Sequence, residues 1–179
     1  MATFFMNIEG QTPKGAATLE KFTGGDGLPN EGWFGITSFS WGASRTIGMD
    51  VGDHHNKDSG HCLMHEFRLD KTLCGAYENI LSLLLAPTSE GRKIFLIGTK
   101  PERVANQGPE VYLQVTLEES RLSYFCMSGA ESTPTVQYHI AYSMFHIKHW
   151  YESATGELTP GGLITYNVKS GSAESTVTS

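Results

Sequence analysis

Phe34-Gly35-Ile36-Thr37-Ser38-Phe39-Ser40-Trp41-Gly42-Ala43-Ser44-Arg45 is the stretch on which the reading of this chain turns. Apolar residues at 34, 36, 39 and 41 are separated by glycines and small hydroxyls, the pattern of a β-strand with one apolar face. The alternation slips once, between Ile36 and Phe39, which predicts a bulge or bend. Trp41 needs a deep apolar site and a partner for its ring nitrogen, so the core is expected to form around it, with Phe39 beside it.

The same alternation recurs along the chain. Residues 3–8 read as a short first strand, 61–69 and 93–98 as further strands, and 111–117 as the cleanest period-two segment. That last segment is expected to resume at 121–125 after an irregularity at Glu118-Glu119. Residues 135–151 read as one very long strand. Val136, Tyr138 and Ile140 share one parity, Phe145, Ile147 and His149 the other, so a bend is expected near Met144. Gly156 and Pro160-Gly161-Gly162 read as the last turn, before a last strand at 163–168. Residues 75–86 are the one convincing helix, with Tyr77, Ile80, Leu81, Leu84 and Leu85 forming a single apolar stripe stopped by Pro87 and Gly91. Tyr138, Ile140, Leu81 and Leu84 join Phe39 and Trp41 as expected core anchors.

About eight strands and one helix predict an all-β chain, a sandwich or barrel. Long apolar strands would make exposed edges hazardous. That favours a closed or nearly closed β-barrel of about eight strands with one flanking α-helix. One domain is expected over residues 1–169, followed by a flexible Ser/Thr-rich tail at 170–179. Two long polar segments remain. Residues 10–32 are loop-like, with Leu19, Phe22 and Leu28 available to pin them down. Residues 46–60 read as an exposed loop or extended hairpin tip.

A chain of 179 residues is long enough for a real core, and its net charge of −6 argues against nucleic-acid or acidic-membrane partners. No apolar run is long enough to cross a membrane, and no signal peptide is visible. The three cysteines, Cys62, Cys74 and Cys126, read as buried reduced thiols.

Chemistry finds little support. His54, His55, His61, Cys62 and His65 suggest zinc or copper, yet His61 and His65 on a strand stand about 13 Å apart. His139, His146 and His149 have no nucleophile elbow to serve. Gly24-Gly25-Asp26-Gly27 lacks the Gly-Lys-Ser/Thr ending of a phosphate loop. Glu118 and Glu119 point to opposite faces of a strand and read as a solvated bulge. No catalytic residue, metal or cofactor is expected.

Several of these pieces carry a resemblance. Ser38-Phe39-Ser40-Trp41-Gly42 is similar to the second-strand signature of the haemolysin-coregulated protein (Hcp) family, the tube proteins of bacterial type VI secretion. Ile8-Glu9-Gly10, Phe67-Arg68-Leu69-Asp70-Lys71, Tyr112-Leu113-Gln114-Val115-Thr116-Leu117 and Ile147-Lys148-His149-Trp150-Tyr151 resemble further family segments in the same order. Leu73-Cys74 and Tyr166-Asn167 depart from the commoner family residues. The resemblance implies a β-barrel that forms homo-hexameric rings. The rings stack into a tube that a sheath drives, with baseplate and spike proteins, into a target cell, carrying effector cargo in its lumen. It implies no reaction and no cofactor. It also implies a bacterial cytoplasmic protein that is then secreted to the extracellular space or target cell without a signal peptide. Ring-to-ring stacking falls to residues 45–60, where Arg45, Thr46, Ile47, Met49, Asp50, Val51, Asp53 and Lys57 are the candidate contacts. A phage-like tail-tube protein is the nearest alternative. A metal-binding enzyme and a secreted β-sandwich binding module are more distant.

Overall fold

The computed structural model describes residues 3–13, 19, 21–48, 57–58, 60–85, 90–103, 105–129 and 133–176, and of residues 57 and 58 only the backbone. In chain order the strands are β1 (Thr3–Ile8), β2 (Phe34–Ile36), β3 (Ser38–Ser40), β4 (Ala43–Ser44), β5 (Ile47–Gly48), β6 (Lys57–Asp58), β7 (Leu63–Met64) and β8 (Phe67–Thr72). The helix α1 (Ala76–Leu85) follows. Then come β9 (Arg92–Lys100), β10 (Glu110–Ser128), β11 (Thr135–Ala141), β12 (Met144–Glu152), β13 (Leu158–Asn167) and β14 (Ser172–Ser175). The fold is all-β with one short helix.

A two-stranded ribbon forms its frame. β10 pairs with β12 from Leu113↔His149 to Glu118↔Met144, and with β11 from Arg121↔Ala141 to Ser128↔Thr135. Between Glu118↔Met144 and Arg121↔Ala141 each strand advances by three residues, so the ribbon keeps its register across the junction. The expected bend near Met144 is there, at Tyr142-Ser143, facing Glu119, whose φ is 50°. The two halves of the ribbon belong to two sheets. One runs β2–β1–β9–β10–β12–β13–β14 and the other β10–β11–β8–β3, all antiparallel.

The decisive stretch at 34–45 is not one strand. β2 pairs with β1, and β3 pairs with β8 in the other sheet. The parity slip is the turn from one sheet to the other, at Thr37, whose N–H donates to Asp70 O at 2.8 Å. The chain therefore changes sheets at Thr37, through the helix between β8 and β9, within β10, and again at the bend between β11 and β12. Among the described residues no hydrogen-bonded sheet closes on itself, and fourteen strands replace the expected eight or so, because the stretches at 34–41 and 135–151 divide at bends and short ladders form at 43–64 and 172–175.

The main core lies between the sheets: Phe34, Met6, Ile8, Leu96 and Leu117 from one, Phe67, Leu69, Tyr138 and Ile140 from the other. The helix adds Ala76 and Ile80, with Tyr77, Leu83 and Leu84 packed alongside. Its buried face is thus rotated toward Leu83. Leu81 is only half-buried and Leu85 is 70% exposed. The helix spans only the strip over Met6, Ile8, Ile94 and Leu122, and its last residue projects beyond that strip.

A second core covers the outer face of the first sheet. Trp33, Leu19, Phe95, Ile97, Val111 and Trp150 are buried there, with Phe22 and Leu28 of the first loop packed on them. The loop is fixed by its backbone: Thr23 bridges to Glu110, and the Gln114 amide both accepts from Asp26 N at 2.8 Å and donates to Asp26 O at 2.9 Å. Neighbouring residues of β9 consequently alternate between two apolar environments, Ile94 and Leu96 inside, Phe95 and Ile97 outside.

Two further expectations need correction. Pro160 and Gly161 lie within β13 rather than in a turn, since Pro160 pairs with Trp150; the turn is upstream, where Ser153 N donates to Glu157 O. Gly161 lets the strands close up, for a Cβ there would sit 2.6 Å from His149 O. Of the tail expected to be flexible at 170–179, residues 172–175 pair with β13 as β14, and 177–179 lie outside the described residues. Asn167 Oδ1 accepts from Lys169 N and Ser170 N, and Gly171 takes a φ of 66° to reverse the chain.

Candidate assembly surfaces

Residues 43–64 form an arm built apart from the two sheets. β4 pairs with β7 through Ala43↔Met64 and Ser44↔Leu63; further out β5 pairs with β6 through Ile47↔Asp58 and Gly48↔Lys57. The segment expected as an exposed loop is thus a two-tier hairpin. Arg45 Nε donates to Gly60 O at 3.0 Å between the tiers, and Ser44 Oγ meets His65 Nε2 at 3.2 Å. Among the described residues of the arm Ile47 is 53% and Leu63 63% exposed, while Cys62 and Met64 at its base pack on the main core. Of the candidate stacking residues, Arg45, Thr46 and Ile47 lie on the arm, and Lys57 is placed by its backbone in β6. Met49, Asp50, Val51 and Asp53 lie outside the described residues.

The base of the arm is held by Trp41. Its ring stacks on Phe67 (centroids 5.5 Å apart, planes 16° apart) and tilts against Phe145 at 4.9 Å. Nε1 donates to Tyr142 Oη at 2.6 Å, and that hydroxyl donates to His65 O at 3.0 Å, where the chain breaks between β7 and β8. Burial raises the Tyr142 pKa, while the Trp41 N–H works against the rise. Trp41 is therefore a half-buried clamp between arm, sheet and ribbon bend, not the centre of the core. Phe39 is also half-buried, edge-on to Phe4 at 5.1 Å, whereas Tyr138 and Ile140 are fully inside.

Sheet edges provide the other surfaces. β14 is paired on one side only, and beside it Leu163, Ile164 and Val168 are between 36% and 43% exposed. β3 pairs only with β8, and β2 only with β1. Unpaired edges are templates for a further strand.

The described histidines are dispersed, and His54 and His55 lie outside the described residues. His65 faces Ser44, His139 lies 3.5 Å from Glu66, and His146 bonds Thr165 and approaches Glu118. Among the described residues no group of three or more His, Cys, Asp or Glu could hold a metal ion. The cysteines are free but half-buried rather than buried. Glu118 pairs with Lys93 and Glu119 with Lys169, whose hydrogen bond lowers the Glu119 pKa.

Sequence reasoning missed the outer core. Trp33 and Trp150 are both at least nine-tenths buried. The available signal was the clustering of Leu19, Phe22 and Leu28 just before Trp33, facing a β9 whose residues are apolar on both parities.

Comparison with known proteins follows this architecture. The family model described as "Type VI secretion system effector, Hcp" matches residues 5–149. No curated protein sequence matches the chain. Among solved structures, a type six secretion system protein is similar with a TM-score of 0.77 at 12% identity, covering 97% of this chain and 100% of that one. Hcp1 from Salmonella typhimurium gives 0.65 at 14%, covering 97% and 99%. A type VI secretion system effector from Yersinia pestis gives 0.58 at 13%, covering 92% and 99%. At these identities the structural likeness speaks for the fold, and the family match, spanning well over half of the chain, speaks for membership. The chain belongs to the Hcp family and is a tube and effector protein of the type VI secretion system.

Proposed function

We propose that the protein is a ring-forming subunit: six copies close a ring, rings stack into a tube, and the arm at residues 45–60 makes the contact between rings. The observation that carries this is a family match running across the arm together with an arm paired only with itself, exposing Ile47 and Leu63. Exposed apolar side chains on a projecting hairpin suit contact with another copy. Arg45, Thr46, Ile47, Met49, Asp50, Val51, Asp53 and Lys57 are the stacking residues of this reading. The body works as one barrel, its wall completed by the crossings at Thr37 and in the ribbon. It acts structurally, without catalysis, with the sheath, baseplate and spike proteins and effector cargo as partners. Neither nucleic acid nor membrane is a partner, in keeping with the net charge of −6. The protein is made in the bacterial cytoplasm and leaves by the secretion machine itself.

Replacing residues 47–58 by a short Gly-Ser turn tests both levels, because the arm closes locally and its removal leaves the sheets intact. The expected result is single rings by negative-stain imaging and none of the stacks formed by the unaltered protein. Stacks from the shortened protein would refute the role of the arm, and a monomer from the unaltered protein at all concentrations would refute the ring.

A further inference from the structure

A cleft of about 150 Å³ lies between α1 and the end of the first sheet. Met6, Ile8, Ile80, Leu83, Ile94 and Leu122 line it with hydrocarbon, and Arg92, Ser120 and Arg121 complete it. Arg92 and Ser120 are cross-strand partners, so their side chains leave the sheet on the same face. Ser120 is there because of a bulge. From Ile94↔Leu117 to Arg92↔Ser120, β9 advances two residues and β10 three, which returns Ser120 to the inward face that Leu117 occupies. Gly91 permits the close approach, since a Cβ there would lie 2.3 Å from the Glu119 backbone.

Ser120 is only 4% exposed, and among the described residues neither its Oγ nor the buried Nε of Arg92 has a hydrogen-bond partner, while Arg92 Nη1 donates to Glu9 O at 3.1 Å. Such groups are costly to leave unsatisfied. The volume equals roughly five waters, but each water needs two to four polar partners, and away from the Arg92 and Ser120 end the lining is hydrocarbon. An occupant that suits the cleft is anionic at one end and apolar at the other. We infer that the cleft beneath α1 binds a small aliphatic carboxylate of about benzene's bulk, its carboxylate accepting from Arg92 Nε and Ser120 Oγ and its tail lying under Leu83.

Titration of the full chain with hexanoate, hexanol and hexylammonium, followed by amide NMR shifts, tests this. Hexanoate should shift residues around Ile80, Arg92 and Ser120 saturably, with hexanol roughly tenfold weaker, the loss expected for a charge-assisted hydrogen bond. Hexylammonium should not bind. Ser120→Ala should weaken hexanoate several-fold, and Leu83→Trp, which fills the cleft, should abolish binding. If Leu83→Trp fails to fold, Ser120→Ala decides alone, since it removes one oxygen and keeps the packing. Equal affinity for acid and alcohol, no saturation, or unchanged binding by Ser120→Ala would overturn the inference. So would hexanoate binding confined to dissociated chains, which would make a neighbouring copy's carboxylate the occupant.

Discussion

Trp41 and Tyr142 offer a decisive perturbation, because their hydrogen bond is the meeting point of three pieces of chain. Trp41→Phe keeps an aromatic ring against Phe67 and Phe145 but deletes the donor to Tyr142, which retains its own bond to His65 O. The expected cost is about 1 kcal/mol, that of one net hydrogen bond. Tyr142→Phe is worse, about 2 kcal/mol, since it strands both the indole N–H and the His65 carbonyl. Trp41→Ala removes the stack as well. A fully buried tryptophan costs 3–5 kcal/mol to truncate in typical cores, and the half-buried position of Trp41 puts the expected value near the lower end, about 3 kcal/mol. The double variant Trp41→Phe/Tyr142→Phe should be less destabilised than the sum of the singles by about 1 kcal/mol, their shared bond. Urea unfolding followed by far-ultraviolet circular dichroism measures all four. Strict additivity would mean the bond contributes nothing, and a Trp41→Ala protein as stable as the parent would show that the clamp does not exist.

Tyr138 makes stability sensitive to alkali. Burial pushes its hydroxyl well above the ordinary pKa of 10.0, and its bond to Met6 Sδ at 3.5 Å is weak. The folded state favours the neutral phenol, so this contribution is intact below about pH 10 and declines as the unfolded chain ionises above it. Tyr138→Phe should change little at neutral pH and flatten the loss above pH 10 in urea midpoints; identical slopes would count against it. Gln114→Leu removes both bonds to the Asp26 backbone and should cost about 2 kcal/mol, with faster amide exchange over residues 21–32; unchanged protection there would mean the loop is held by Phe22 and Leu28 alone.

Strand alternation at 135–141 was legible because that segment buries one consistent face, Val136, Tyr138 and Ile140; at 111–117 it marked the strand, although Val111 enters the outer core and Val115 and Leu117 the inner one. The stretch at 34–45 misled for a physical reason. Periodicity reports which side chains go inward, and a strand that turns from one sheet to the other keeps its apolar residues inward throughout, with one slip at Thr37. The pattern contains the slip but not the change of partner. Helix rotation was illegible because five apolar positions compete for a narrow contact, and Leu83 wins over Leu81 through the shape of the sheet end. The arm was legible as polar and exposed, yet its two ladders rest on backbone pairing that leaves no apolar signature. β14 was hidden likewise, since Ser172, Ala173, Glu174 and Ser175 all stay exposed and the strand pairs through its main chain without an apolar face.

The bent ribbon also governs how the chain can order while it is being made. Residues up to 100 contain β1, β2, β3, β8 and β9, which can pair only as two strips, β2–β1–β9 and β3–β8. The crossing at Thr37, the helix between β8 and β9 and the bond from Lys71 Nζ to Gly35 O already tether the strips to each other, but their remaining edges wait for β10, β11 and β12, because β9 finds its second neighbour in β10 and β8 finds its own in β11. Phe34, Phe67 and Leu69 can meet early, but Tyr138 and Ile140, which complete their core, come only with β11. Synthesis consequently ends in a single joining step, in which a hairpin with a short connection forms first and draws both strips onto its two halves.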